Sequence, residues 1–188
     1  TLHNTLFPYT TLFRSVFLSI DNTNFFKNNE YDNVYMAGYS KIGFFLKPTL
    51  SWTLWDKTRL AGGMHLLKYS GEQGFNQIKP VFYLQHQLFS GIDLRMGSIK
   101  STHHHNLIDP IYHYERFLDE HIENGVQFLI EKPFVQADVW VNWKNFITWG
   151  DDTREVFETG FSSEWPLYGK NQSLTMNLPF QVIFEHKG

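Results

Sequence analysis

The sequence predicts an all-β chain, an antiparallel up-and-down transmembrane β-barrel represented in part by about eight or nine meandering strands. Three observations predict it. Apolar and polar residues alternate with a period of two along most of the chain, as they do on the two faces of a strand. The alternating runs are about 9 to 15 residues long, whereas strands of soluble proteins cluster near ~5–6 and a membrane-crossing strand needs ~9–11. The connections between runs alternate short and long, the pattern of a barrel with brief turns at one rim and larger loops at the other.

Composition narrows the alternatives. The chain has 188 residues, no cysteine, 18 Phe, 9 Tyr, 6 Trp and a net charge of -3. A disulfide scaffold is excluded, and nothing in the charge suggests a nucleic-acid partner. Mean hydropathy is -0.33, and no run approaches the ~20 apolar residues of a spanning helix. A barrel escapes that test, because only every second residue must be apolar.

Residues 1–15, TLHNTLFPYTTLFRS, differ in character from the rest. They resemble a translated sequencing-adapter read-through and are set aside as a non-native leader, leaving 16–188 as a single barrel domain fragment. VFLSI, from Val16, reads as the remnant of a strand, and the following DNTNFFKNNEYDN has the composition of a long loop. Ile42, Phe44, Leu46, Leu50, Trp52 and Leu54 then oppose Gly43, Lys47, Thr49, Ser51 and Thr53. A tight turn at Asp56 and Lys57 leads into Leu60, Met64 and Leu66, opposed by Arg59, His65 and Tyr69.

After the SGEQGFNQ loop, Ile78, Phe82, Leu84 and Leu88 oppose Lys79, Tyr83, Gln85 and Gln87. A turn at Ser90 and Gly91 precedes Ile92, Leu94 and Met96, which oppose Asp93 and Arg95. The segment 101–124 is too polar and irregular to be a strand. Val126, Phe128 and Ile130 resume the alternation; past Lys132 and Pro133, Val135, Ala137, Val139, Val141 and Trp143 oppose Gln136, Asp138, Asn142 and Lys144. A weaker strand spans Glu155 to Ser163, WPLYGKNQ forms a turn, and Leu174, Met176, Leu178, Phe180, Val182 and Phe184 share the last apolar face. Pro48, Pro80 and Pro179 each remove a ladder donor and predict bulges, strand starts or an edge.

If the apolar faces meet lipid, the opposite faces meet a lumen. The lumen-facing candidates are Lys47, Arg59, His65, Lys79, Gln85, Asp93, Arg95, Glu131, Asp138 and Asn142. Charges of both signs there either pair across a narrow interior or line a channel that filters solutes. Trp52, Trp55, Tyr69, Trp143 and Trp149 fall where an interfacial aromatic girdle would lie. His103, His105, Asp109 and His113 are weak metal-ligand candidates, but three consecutive histidines do not converge easily on one ion, so no metal or other cofactor is expected. Acidic pairs such as Asp151 and Asp152 invite a glycosidase reading that spacing alone does not support. No nucleophile elbow or phosphate-binding glycine loop is present.

The stretches GYSKIGFFLKPTL, RLAGGMHLLKYSG, NLIDPIYHYERFL with IENGVQF, and DVWVNWKNFI followed by GDDTREVFETG resemble outer-membrane β-barrel proteins of the Bacteroidetes type. The resemblance covers nearly all of the chain beyond residue 16. It implies a barrel in the bacterial outer membrane and a fragment without its export signal and closing strands; it carries over no substrate and no site residues. The expectation is a non-enzymatic, porin-like protein in a lipid bilayer that passes or binds small hydrophilic solutes. The alternative is a secreted or surface β-sandwich that binds carbohydrate, possessing a glycan-degrading role or not. The two differ in whether the apolar face turns outward to lipid or inward to a second sheet.

Overall fold

The computed structural model describes residues 13–31, 34, 37–101, 105–119, 122–167 and 176–188. Nine strands make one antiparallel meander whose spatial order is the sequence order: β1 (Phe13–Asn29), β2 (Tyr39–Leu54), β3 (Thr58–Tyr69), β4 (Gln77–Phe89), β5 (Ile92–Ser98), β6 (Asn124–Lys132), β7 (Val135–Asn145), β8 (Val156–Pro166) and β9 (Asn177–Lys187). β1 and β9 stand at the two margins of that order. Among the described residues there is no α-helix, and a single-turn 3-10 helix covers Tyr114–Leu118. The expected up-and-down β architecture is therefore present, and a partial barrel fits it.

The first strand differs from expectation. The polar stretch that reads as a loop continues β1 to Asn29, in unbroken register with β2 from Val16 opposite Trp52 to Asn29 opposite Tyr39. Asparagine is a poor strand former, and here the register supplies the compensation. Asp21 lies 3.4 Å from Lys47, Asn24 donates to Asn22, and Ser40 donates to Asn28 across the pair. Phe13–Ser15, the end of the presumed leader, begin the same strand; residues 1–12 lie outside the described part.

The chain forms two compact units, 1–56 with 60–82, and 57–59 with 83–188. In the first, one face of the strands is buried around Phe45, Ala61, His65, Leu67 and Val81. Phe45 lies between the rings of Phe25 and His65, with centroids 5.0 and 5.1 Å away, and Tyr69 meets Phe25 edge-on. Gly63 is required here, since a Cβ would strike the carbonyl of Pro48 on the neighbouring strand. Pro48 thus sits inside the sheet, opposite Ile20, rather than at an edge. The other face exposes Val16, Leu18, Ile20, Ile42, Leu50 and Met64.

In the second unit the registers fix two rows. Leu94 opposite Phe128, Met96 opposite Val126, Val141 opposite Thr159 and Phe161 opposite Val182 make an outer, largely apolar row. Arg95 opposite Gln127, Asn142 opposite Glu158, Asp138 opposite Ser162 and Ser162 opposite Gln181 make an inner, polar one. The inner row is covered by the long connection between β5 and β6, and the core of this unit, Ile99, Leu107, Tyr112 and Trp140, forms beneath it.

Candidate functional site

The site is built where the β5–β6 connection meets the inner row. Its two ends are tied first: Ile99 donates to the Glu123 carbonyl, and Gln127 both accepts from the Lys100 amide and donates to the Lys100 carbonyl. Asn142 accepts from the Asn124 amide. These contacts carry the β5–β6 pairing past Ser98 and Asn124, first by a backbone bond and then through the Gln127 side chain. Beyond them the chain passes through left-handed backbone at His105 and Asn106, both with φ of 57°, and this reversal drives the His105 ring down onto the sheet.

His105 is the centre of the arrangement. Its ring stacks on Trp140 at a centroid distance of 3.8 Å and an interplanar angle of 6°. Nδ1 lies 2.7 Å from an Asp138 oxygen and Nε2 2.7 Å from a Glu123 oxygen. With both nitrogens facing carboxylates, both donate, and the ring is an imidazolium. Burial alone opposes that charge, but the hydrogen bonds to Asp138 and Glu123 and their negative charges outweigh it and raise the ring's pKa to about 9. Burial likewise pushes the Glu123 carboxyl upward, and the His105 hydrogen bond and charge, helped by Tyr112 and Arg116, bring it below the ordinary range. Tyr112 donates its hydroxyl to Glu123 at 2.9 Å, and burial beside that carboxylate makes the phenol harder to ionise.

The connection is then fastened strand by strand. Ser162 on β8 donates to the His105 carbonyl at 2.5 Å. Gln181 on β9 donates to the Asn106 carbonyl and accepts from the Ile108 amide. Arg116, lying over the Tyr112 ring, donates both terminal nitrogens to Glu158, which also takes Lys144 at 2.9 Å. Space for Trp140 comes from Gly160 directly across the β7–β8 pair; a Cβ there would strike the indole ring.

Of the residues singled out from sequence, Asp138 and Asn142 take part in this arrangement, and His105 is its core. Gln85 donates to Asp93, and Arg95 lies over the Tyr83 ring and donates to the Ser98 carbonyl; these pair along the wall. Glu131 and Arg59 are exposed. Lys47, His65, Lys79 and Tyr69 belong to the first unit, where Tyr69 lies in the aromatic cluster. Trp52 is half-buried, Trp55 sits exposed in the β2–β3 turn, Trp143 donates to Glu155, and Trp149 is fully exposed. His103 lies outside the described residues, Asp109 and His113 are exposed, and no cluster of three ligating side chains suited to a metal occurs among the described residues.

Sequence reasoning missed Gln127, Trp140, Ser162 and Gln181. They follow the inner parity of their strands, and that parity was the available signal. It also missed a hydroxyl–imidazole contact on the outer row of the second unit. Thr58 Oγ1 lies 2.8 Å from His86 Nδ1, and His86 faces Leu94 across the β4–β5 pair.

A meander of long strands with one apolar and one polar face is consistent with an outer-membrane type of β protein. The chain belongs to the lipid A 3'-O-deacylase-type family, whose model matches residues 11–188. That family is outer-membrane associated, in line with the expected localisation. Its name is that of an enzyme, which overturns the expectation of a non-enzymatic protein. The physical reason for the error is that alternation reports where a strand sits and is silent about chemistry on it. No curated protein matches the chain.

Proposed function

We propose that this chain is an outer-membrane hydrolase that removes an ester-linked acyl chain from a membrane glycolipid of the lipid A kind, and that it spans the bilayer with its apolar rows against lipid. The observation that carries the chemistry is the family match along residues 11–188. Porin-like passage receives no support from the second unit, where the polar inner row is consumed in holding the β5–β6 connection rather than lining open water.

Ester hydrolysis needs a nucleophile, a base in contact with it, and water to complete the turnover. His105 does not suit the base, because both of its nitrogens are donors to carboxylates. The pair that does is Thr58 and His86. In this reading His86 Nδ1 takes the Thr58 proton as Oγ1 attacks the ester carbonyl, and the sugar oxygen departs with that proton. Water then cleaves the acyl-threonine, giving free fatty acid and restoring the hydroxyl. The pair belongs to the outer row, with Thr58 buried and His86 half-buried, so a lipid ester would reach it by displacing the side chains that cover Thr58.

The test is the full chain in detergent–phospholipid micelles with purified lipid A, followed by mass spectrometry of the lipid. The expected result is loss of the 3'-linked acyl group, abolished in Thr58→Ala and His86→Phe. Unchanged lipid A, together with ion conductance in planar bilayers, would return the solute-passage reading.

A further inference from the structure

The β7–β8 connection carries the most exposed aromatic residue of the described chain, and it is built as a rigid finger. Phe146, Ile147 and Trp149 are 67%, 53% and 104% exposed. A soluble loop would place polar residues there. Two features show that their exposure is held in place by structure. Asp151 accepts from both the amide and the hydroxyl of Thr148, at 2.8 and 2.6 Å, and returns its own amide to the Thr148 carbonyl. Gly150 supplies the left-handed step with φ of 96°, and Asn145 closes the base by donating to the Arg154 carbonyl. The turn is thus pre-formed with Trp149 at its tip.

The finger is continuous with the outer row of the second unit. Phe146 stacks parallel to Trp143, with centroids 6.1 Å apart and planes 3° apart. Trp143 in turn meets Phe157 across the β7–β8 pair at 5.9 Å, and Phe157 stacks on His186 of β9 at 4.7 Å. One aromatic file therefore runs from β9 across β8 and β7 and out onto the loop. Its strand portion ends where apolar residues give way to polar ones, the level at which amphipathic rings settle at a bilayer surface.

We infer that residues 146–151 form a membrane-seated finger whose occupant is the lipid of the adjoining leaflet, with Trp149 at headgroup depth and Phe146 and Ile147 against acyl chains. The inference rests on the membrane reading of the apolar rows. It does not need the hydrolytic one. A rigid aromatic tip beside a lipid-acting protein would hold the strand ends at fixed depth and perturb chain packing next to them.

Because the sequence has no cysteine, Trp149→Cys and, separately, Ile147→Cys each provide a single thiol for an environment-sensitive nitrobenzoxadiazole probe. The full chain is reconstituted into phosphatidylethanolamine–phosphatidylglycerol vesicles, with and without brominated acyl chains. Phe184→Cys in the apolar band is the lipid control, and Asp152→Cys on the same loop is the water control. The expected result is bromolipid quenching at 149 and 147 at least three-fold above that at 152, and reduced at 149 when Asp151→Ala removes the acceptor that holds Thr148. Quenching at 184 with water-like behaviour at 147 and 149 overturns the finger alone. Water-like behaviour at all positions overturns the finger together with the membrane reading, whereas deacylation is scored separately on lipid A.

Discussion

Replacing His105 by Gln removes the positive centre of the buried cluster and leaves Asp138 and Glu123 facing each other across a neutral amide. The side chains of His105, Glu123 and Asp138 are 0%, 2% and 9% exposed, so water cannot compensate. Removing one partner of a buried ion pair costs ~3–5 kcal/mol. An independent measure agrees in order of magnitude. The rise in the His105 pKa from 6.5 to about 9, at ~1.4 kcal/mol per pH unit, is worth ~3 kcal/mol. Because the folded-state pKa lies above the unfolded one, this stabilisation is complete below pH 6.5 and is lost as pH rises through about 9. Glu123, held below its ordinary range, has the opposite sign: its contribution is complete above that range and fades in acid. Hydrogen exchange of the amides of residues 107–118 reads the opening directly. Protection in the native chain should fall roughly 100-fold more between pH 7 and pH 10.5 than the intrinsic exchange rate explains, by the ~3 kcal/mol above. His105→Gln should show low protection already at pH 7 and no such extra dependence. If the variant keeps the native protection and its slope, the imidazolium does not hold the connection, and the account of the site is wrong.

Other perturbations probe separate parts of the same account. Gly160→Ala should push the Trp140 ring off His105, lowering stability by ~1–3 kcal/mol and changing the near-ultraviolet dichroism of the indole. Glu158→Gln leaves Arg116 and Lys144 without their shared carboxylate; since both cations are partly exposed, the cost should be about 1–3 kcal/mol, read as a lower temperature for loss of the fast-migrating folded band. Phe128→Arg places a charge in the outer row of β6 and should destabilise the bilayer-inserted chain by ~2–4 kcal/mol while changing little in a Phe128→Leu control; equal effects of the two would argue against lipid on that face.

What was legible in the sequence was parity. Leu94, Met96, Phe128, Val139 and Val141 announce one face, and Asp93, Arg95, Asp138 and Asn142 the other, because a strand cannot move a residue to the opposite side without moving all its neighbours. Two things were not legible. The asparagines of β1 look like loop because their strand propensity is poor, and only the opposing β2 residues reveal that they are paired. His105 sits in a run of three histidines, and nothing local distinguishes it; its partners are 18 and 33 residues away and come together only once β6 and β7 are aligned. Trp140 is an aromatic among polar inner residues, which the alternation counts as an exception. The hydrolytic chemistry of the family leaves no mark on periodicity at all.

The fastening of the β5–β6 connection also bears on how the sheet acquires its alignment. Gln127, Asp138, Ser162 and Gln181 lie on four successive strands, and all four reach the short stretch from Lys100 to Ile108. A slip of one residue in any of those strands turns its reaching side chain to the other face. The connection therefore acts as a gauge laid across β6, β7, β8 and β9, seating fully only when every one of them is correctly aligned. A slip of β7 would part Asp138 from His105, and a slip of β8 or β9 would lose the Ser162 or Gln181 contacts with the connection, so the same contacts that hold the finished molecule also penalise its near-copies.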